Sequence, residues 1–310
     1  MPNNIALIFV GTLMYTTPLL FAALGGVISE LSGVMNIALE GIMTVGAFTG
    51  ASVSYFTNSA FVGFLAAGFA GALLILLHAV ACVTFRADQT ISGTAINFLG
   101  GGISILLTKK LFNGSALSAS APKLPSAFPK FVSNRLKGTD LEAINAISIA
   151  TLFAFLLVFF LWFFMYRTKW GLRILATGEH PAAVDSLGGS VFKIRYFCVL
   201  CSGFLAALGG AFMSISVTSS FSPVTICGQG FIALGALIFG KWTPQGAMFS
   251  CLLFGFAREC TTMLGGQNGF VSQALLEMLP YVLTIAVLIL FVGRSLAPKA
   301  VGVPYTKDLR

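Results

Sequence analysis

Long apolar runs separated by short polar stretches dominate the chain. Crossing a bilayer takes about 20 residues in a helix that rises about 1.5 Å per residue. Runs of roughly that length cover residues 5–27, 34–56, 60–85, 91–107, 143–166, 196–217, 247–263 and 275–292. Another run, residues 230–240, is too short to span. Because every backbone polar group in lipid must be bonded within its own segment, this pattern predicts a helical bundle.

The first two runs have the features of interrupted helices. Pro18 and the pair Gly25 and Gly26 interrupt the first run, and the second carries Asn36 and Glu40. Such residues allow unwound backbone beside a cavity, although helix packing explains the glycines equally well. The predicted fold is an all-α polytopic transmembrane bundle of about 8–10 membrane helices, some broken or short, in a single transmembrane domain over residues 1–310.

Composition excludes the soluble classes. Hydrophobic residues make up 57% of the chain and charged residues 9%, against about 25% charged in ordinary soluble domains. The net charge is +8, but the bases lie in a few loops, which indicates membrane topology and no nucleic-acid partner. The amino terminus lacks a basic segment before the first long run, so that run is predicted to be a retained helix in contact with lipid.

The basic residues also predict which loops face the cytoplasm. Bases flank the 167–195 loop and recur in the tail after residue 294, so both segments are predicted to be cytoplasmic. Counting crossings back from there places Arg86 inside and the amino terminus outside. The polar stretch 108–142 then becomes an extracytoplasmic loop, although its six bases argue against that side.

The surrounding residues argue against each candidate motif for catalysis or nucleotide binding. Residues 235–241 nearly spell a phosphate-binding loop, but Trp242 occupies the hydroxyl position and the segment is apolar. Cys198 and Cys201 fall in an apolar run, where two small residues in a packed helix explain them. Clusters with metal-ligand spacing are absent from the sequence. The chain is therefore predicted not to be an enzyme and to hold no cofactor or metal, and any ATP would bind to another chain.

Three polar residues in apolar runs are candidates for a substrate pathway. Asn36 and Glu40 lie four positions apart, so they are predicted to share one helical face. A carboxylate at mid-bilayer costs about 2.5–3.5 kcal/mol, so Glu40 should face the bundle interior or a cavity. Asn97 is the third candidate for polar contact with substrate. The alternative is a polar pair at a helix end, bonded to a neighbouring helix.

The 167–195 loop contains start and stop signals for a short helix. Pro181 suits the first helical position, and Gly188 can end the helix. Between them, Ala183, Val184 and Leu187 are predicted to form one small apolar face. A helix this short needs a partner surface for stability. The alternative is an ordinary interfacial helix.

Several stretches resemble the permease subunit of bacterial ABC importers for nucleosides, in the wider permease family that serves branched-chain amino acids and simple sugars. They are residues 17–48, 85–97, 177–196, 230–247, 279–290 and 297–305. The resemblance implies a multi-pass subunit of the bacterial cytoplasmic membrane. Its implied partners are an ATP-binding cassette ATPase that binds ATP and magnesium, a second and similar permease chain, and an extracytoplasmic substrate-binding lipoprotein.

In that family, a short helix of a cytoplasmic loop docks on the ATPase. The corresponding positions here are Pro181, Ala182, Ala183, Val184, Asp185, Leu187 and Gly188. His180 and Gly189 depart from the family's usual Asn and Ile. Two other functions stay open: an importer of the same class for riboflavin or another small solute, and a secondary transporter driven by an ion gradient. The latter would need a relay of carboxylates, and Glu40 is the one good candidate.

Overall fold

The computed structural model describes residues 2–128, 142–265, 278, 282, 285 and 297–307. Apart from the bridge between Ser126 and Ser148, the regular structure within these ranges is helical. The helices are α1 Pro2–Leu31, α2 Leu39–Thr57, α3 Ala60–Ala79, α4 Gln89–Leu111, α5 Ile149–Arg167, α6 Lys169–Glu179, α7 Pro181–Ser186, α8 Val191–Phe212, α9 Gln229–Phe239 and α10 Pro244–Gly265. The predicted run 275–292 lies outside the described residues, apart from positions 278, 282 and 285.

Five of the described helices are long and apolar enough to cross a membrane. They cover Ala6–Leu31, Ala60–Thr84, Gln89–Leu111, Ile149–Arg167 and Val191–Val217. The segment predicted to be too short is α9, which has 11 residues. The prediction of an all-α polytopic membrane bundle with short helices is confirmed.

Helix α8 lies at the centre of the bundle and packs against α1, α2 and α3. Small residues let these backbones approach closely. Gly46 of α2 lies against Ala207, and Gly210 of α8 lies against the carbonyl of Met43. A methyl group at either glycine would overlap backbone atoms of the other helix. The absence of a side chain at Gly46 and Gly210 therefore allows α2 and α8 to pack this closely.

Substituting Gly210 by alanine is expected to destabilise the bundle. The new methyl group would meet the Met43 carbonyl, and such overpacking costs about 1–3 kcal/mol. Thermal unfolding in detergent measures the loss. Gly102→Ala is the matched control, because Gly102 lies on α4 with open space around its Cβ position. An equal drop in melting temperature for both variants would contradict the packing explanation.

The predicted interruption of the first run is wrong. Helix α1 continues through Pro18 and on to Leu31. Gly25 packs against the Ser202 carbonyl of α8, and Gly26 packs against Leu237 of α9, so both glycines serve close packing. Neighbouring helices support a proline inside a membrane helix. The break instead follows Leu31, at residues 32–38.

Contacts of the loops define two ends of the bundle. At the α7 end, the amide of Ala300 in the tail donates to the Gly178 carbonyl at 2.8 Å. The two basic segments thus lie at the same end, as predicted. At the opposite end, beyond α8, the amide of Ser118 donates to the Phe221 carbonyl at 3.0 Å. The described part of the 108–142 stretch therefore lies away from the 167–195 loop, while the side of the membrane for each stays a prediction.

Candidate functional site

Helix α2 begins inside the bundle and not at one of its ends. Residues 32–38 enter from the α7 end without forming a helix. Along this segment Nδ2 of the Asn36 side chain donates to Ser202 Oγ at 2.7 Å, and Ser202 lies midway along α8. The helix proper starts at Leu39. The unwound segment therefore occupies the start of this crossing, and α2, with 19 residues, covers the rest.

Helix α9 also begins inside the bundle, but its approach is from the opposite end. The chain leaves α8, turns at Gly228 with a φ of 86°, and starts α9 at Gln229. After α9, Trp242 Nε1 donates to Glu30 Oε2 at 2.6 Å near the α7 end. The near match to a phosphate-binding loop thus falls within and just after a helix. The amino termini of α2 and the shorter α9 therefore meet inside the bundle.

Glu40 joins these two amino termini. Its Oε1 accepts from the Gly228 amide at 2.6 Å, and its Oε2 accepts from the Gly230 amide at 2.7 Å. The first amides of a helix lack partners within the helix and carry the positive end of its dipole. Glu40 lies in the first turn of α2, so one carboxyl group complements both helices.

Asn97 supports the start of α2 from the other side. Its side-chain oxygen accepts from the Gly41 amide at 2.8 Å, and its Nδ2 donates to the Ile37 carbonyl at 3.0 Å. These are backbone groups that the unwound segment leaves without helical partners. Asn97 therefore attaches α4 to the broken crossing and is partly exposed.

The prediction that Asn36 and Glu40 share a helical face is wrong. Asn36 precedes the helix and is fully buried. Besides its bond to Ser202, its side-chain oxygen accepts from the Ala38 amide at 3.1 Å. A side chain that bonds its own backbone two residues on competes with helix formation. Asn36 therefore holds the unwound chain against α8.

A polar strip at the surface of the bundle follows from this arrangement. On α2, Glu40 faces α9 and Gly41 faces α4. At 100° per residue, Thr44 falls between those two directions, and it is half-exposed. We call Glu40, Thr44 and Asn97 the junction face. Polar groups are costly against lipid at this depth, so the junction face suits water or another protein chain.

The short loop helix has the predicted boundaries. Helix α7 covers Pro181–Ser186, with Pro181 in its first turn. Gly188 follows with a φ of 78°, the left-handed conformation that ends helices. His180 precedes the helix, and its side chain makes no capping bond.

The predicted apolar face of this helix is only partly correct. Val184 is turned inward and buried, because the chain folds back and the Gly189 amide bonds its carbonyl at 2.9 Å. Ala183 points outward, and Leu187 is 89% exposed. A side chain at Gly189 would meet the Val184 side chain at 2.7 Å, which explains a glycine there. The exposed surface thus comprises Ala182, Ala183 and Leu187.

Two site residues escaped the sequence-based reasoning. Glu30 is 3% exposed and is held by Trp242, and this contact links α1 to the end of α9. Glu30 lies just beyond the first apolar run, so the rule that ionisable residues near membrane depth mark function could have found it. The sequence gives no corresponding indication for Trp242, which stands out there only as a mismatch to a nucleotide-binding motif.

Comparison with known proteins agrees with this architecture. Residues 8–288 match the family model of the branched-chain amino acid transport system permease component. The chain is 41% identical to the guanosine ABC transporter permease protein NupQ of Bacillus subtilis, over 99% of this chain and 98% of that protein. It is 38% identical to the nucleoside ABC transporter permease protein NupC of Lactococcus lactis, over the same shares.

A more distant relative is the putative glucose ABC transporter permease protein TsgC13 of Haloferax volcanii. It is 32% identical over 89% of each chain. No solved structure matches the chain. A family match across most of the chain and full-length identity above 30% define its class. The chain belongs to this family of ABC importer permeases and is a multi-pass membrane protein.

Proposed function

We propose that the chain is the permease subunit of an ATP-driven importer of nucleosides in a bacterial cytoplasmic membrane. The observation that carries this proposal is the near-complete overlap with two permeases named for guanosine and for nucleosides. The junction of the α2 and α9 amino termini inside the bundle supports transport as the activity, since discontinuous helices in transporters surround the substrate site. The chain itself would bind no ATP or magnesium and catalyse no reaction.

The partner ATPase would supply the energy through α7. ATP binding would close the ATPase subunits, and the docked surface of Ala182, Ala183 and Leu187 would move with them. Gly178, just before α7, lies against the carbonyl of Leu31 at the end of α1. The neighbouring Glu30 bonds Trp242, and α9 leads from there to Glu40. These contacts form a continuous physical route from α7 to the junction.

The substrate would pass along the junction face, with a second permease chain opposite and a binding lipoprotein delivering substrate from outside. Glu40 and Asn97 are partly exposed there and would contact the passing substrate. Asn36 would act by holding the unwound segment in place. In this proposal a single chain contributes one wall of the pathway, which explains why polar groups lie on its surface at mid-depth.

Uptake into liposomes that carry the whole complex tests the proposal. Labelled guanosine, adenosine, uridine, riboflavin and glucose would be supplied separately, with ATP inside or with an ion gradient alone. We expect ATP-dependent uptake of nucleosides. ATP-dependent uptake of riboflavin or glucose alone would overturn the substrate and keep the class. Uptake on a gradient without ATP would overturn ATP as the driving force.

A further inference from the structure

A cavity of about 370 Å³ opens near the end of the bundle opposite α7. It lies between the end of α8, the segment leading to α9, and the facing sides of α1 and α10. Gln229, the first residue of α9, is part of its wall. Ligand sites are typically about 300–1,000 Å³ and combine apolar walls with a few polar groups. The cavity thus has the size of a small-molecule site and borders the junction.

The lining combines an apolar wall with polar side chains, of which three make no hydrogen bond within the described residues. Leu19, Ile232 and Phe254 contribute to the wall. The polar side chains are those of Tyr15, Thr218, Ser222, Thr225, Gln229 and Arg258. Within the described part of the chain, the side-chain groups of Tyr15, Gln229 and Arg258 make no hydrogen bond or ion pair. They are therefore available to a ligand.

The charge pattern restricts the chemistry of that ligand. Arg258 makes a cation a poor fit. The amides of Gly228 and Gly230 at the start of α9 already bind Glu40, so Arg258 is the positively charged group that the lining offers to a hydrogen-bond acceptor. The lining therefore suits a molecule that has hydrogen-bond acceptors for Arg258, further polar edges and an apolar face.

A purine nucleoside has the groups that this lining complements. Arg pairs with the O6 and N7 atoms of guanine, and Gln pairs with the N6 and N7 atoms of adenine. The hydroxyl group of Ser222 suits the ribose, and the partly exposed ring of Tyr15 offers a surface for the base. Aromatic side chains stack on any base because every base has a π-face.

We propose that this cavity is an entry subsite that holds a purine nucleoside within this single chain before it reaches the junction face. The inference rests on the proposed function and adds a location and a base preference to it. A ligand there would touch Gln229 at the start of α9, whose neighbouring amides are bound by Glu40. Ligand binding in the cavity and the geometry of the junction are therefore linked through the amino terminus of α9.

A native cysteine reports on occupancy. All six cysteines lie in described residues, and Cys227, in the cavity wall, is the one that is exposed. The experiment uses the complex of both permease chains and ATPases without the binding lipoprotein. We expect saturating guanosine to slow alkylation of Cys227 at least fivefold, and uridine to slow it less. Alkylation that is unaffected by guanosine, in a complex that transports guanosine, would overturn the subsite and leave the transport function intact.

Two variants separate occupancy from a general change of shape. Gln229→Ala should raise the guanosine concentration for half-protection several-fold, since it removes one polar contact. Unchanged protection in that variant would overturn direct contact. Ser115→Cys in a Cys227→Ser background provides a thiol at the same end, outside the cavity. Guanosine should not change the alkylation rate of this thiol. Protection of this thiol equal to that of Cys227 would also contradict the subsite. Absence of ATP-dependent uptake of every nucleoside tested in the unmodified complex would instead refute the proposed function.

Discussion

Glu40→Ala is expected to reduce ATP-driven uptake to background while the complex still assembles. The change leaves the amides of Gly228 and Gly230 without their acceptor. Hydrogen bonds to a charged group contribute about 1.5–3 kcal/mol each. Losing two of them is comparable to the few kcal/mol that separate the conformations of a protein, so the starts of α2 and α9 would no longer meet in a defined geometry. Initial uptake rates in liposomes, normalised to assembled complex, measure the effect.

Two further variants sharpen this prediction. Glu40→Gln keeps the shape and one acceptor oxygen, so uptake should fall strongly but remain above that of Glu40→Ala. Asp88→Asn is the matched control: Asp88 is an exposed carboxylate that caps α4, and asparagine caps equally well. Its uptake should be normal. Uptake near the original rate with Glu40→Ala would show that the junction does not depend on this carboxyl group.

Leu187→Asp is expected to uncouple ATP hydrolysis from transport. Leu187 is 89% exposed at the end of α7, and nothing in the described chain covers it. Burying a leucine contributes about 1.5–3 kcal/mol, and a charge placed in an apolar groove costs more. Basal ATP hydrolysis should persist while uptake falls at least tenfold, and less ATPase should co-purify with the permease. Ala183→Asp should act in the same direction.

The control for this prediction is a leucine at the opposite end. Leu117 is 56% exposed in the loop after α4, away from α7. Leu117→Asp introduces the same charge and should leave both ATPase binding and uptake unchanged. Normal coupling in Leu187→Asp, or an equal defect in Leu117→Asp, would refute the docking role of α7.

The pattern of apolar runs predicted which segments form helices better than it predicted where those helices begin and end. The apolar runs identified the spans, and Pro181 with Gly188 identified α7, because start and stop signals are local. Asn36 indicated unwound backbone in the second run, but local signals could not predict that the break begins directly after Leu31 and ends at Leu39. The break depends on the hydrogen bond from Asn36 to Ser202, a partner 166 residues away in the sequence. At Pro18 and Gly25, by contrast, packing against neighbouring helices keeps α1 continuous.

The same limit applied to the site. Glu40 was identifiable because placing a carboxylate in a membrane-spanning run costs free energy, so such a residue is usually functional. Its partners were not, since Gly228 and Gly230 bind through backbone amides that no side-chain pattern reveals. Val184 was placed on the outer face of α7 because the sequence does not show that the chain folds back through Gly189.

Water access to the junction face is the measurement we would make with the full complex. Thr44→Cys, in a Cys227→Ser background, would be treated with a membrane-impermeant thiol reagent in nucleotide-free and ATP-bound states. Phe98→Cys is the comparison, because Phe98 is 79% exposed on the apolar surface of α4. We expect Thr44→Cys to react at a rate that changes with nucleotide, and Phe98→Cys to stay unreactive. Reaction of neither cysteine in any state would mean that the junction face does not line a pathway.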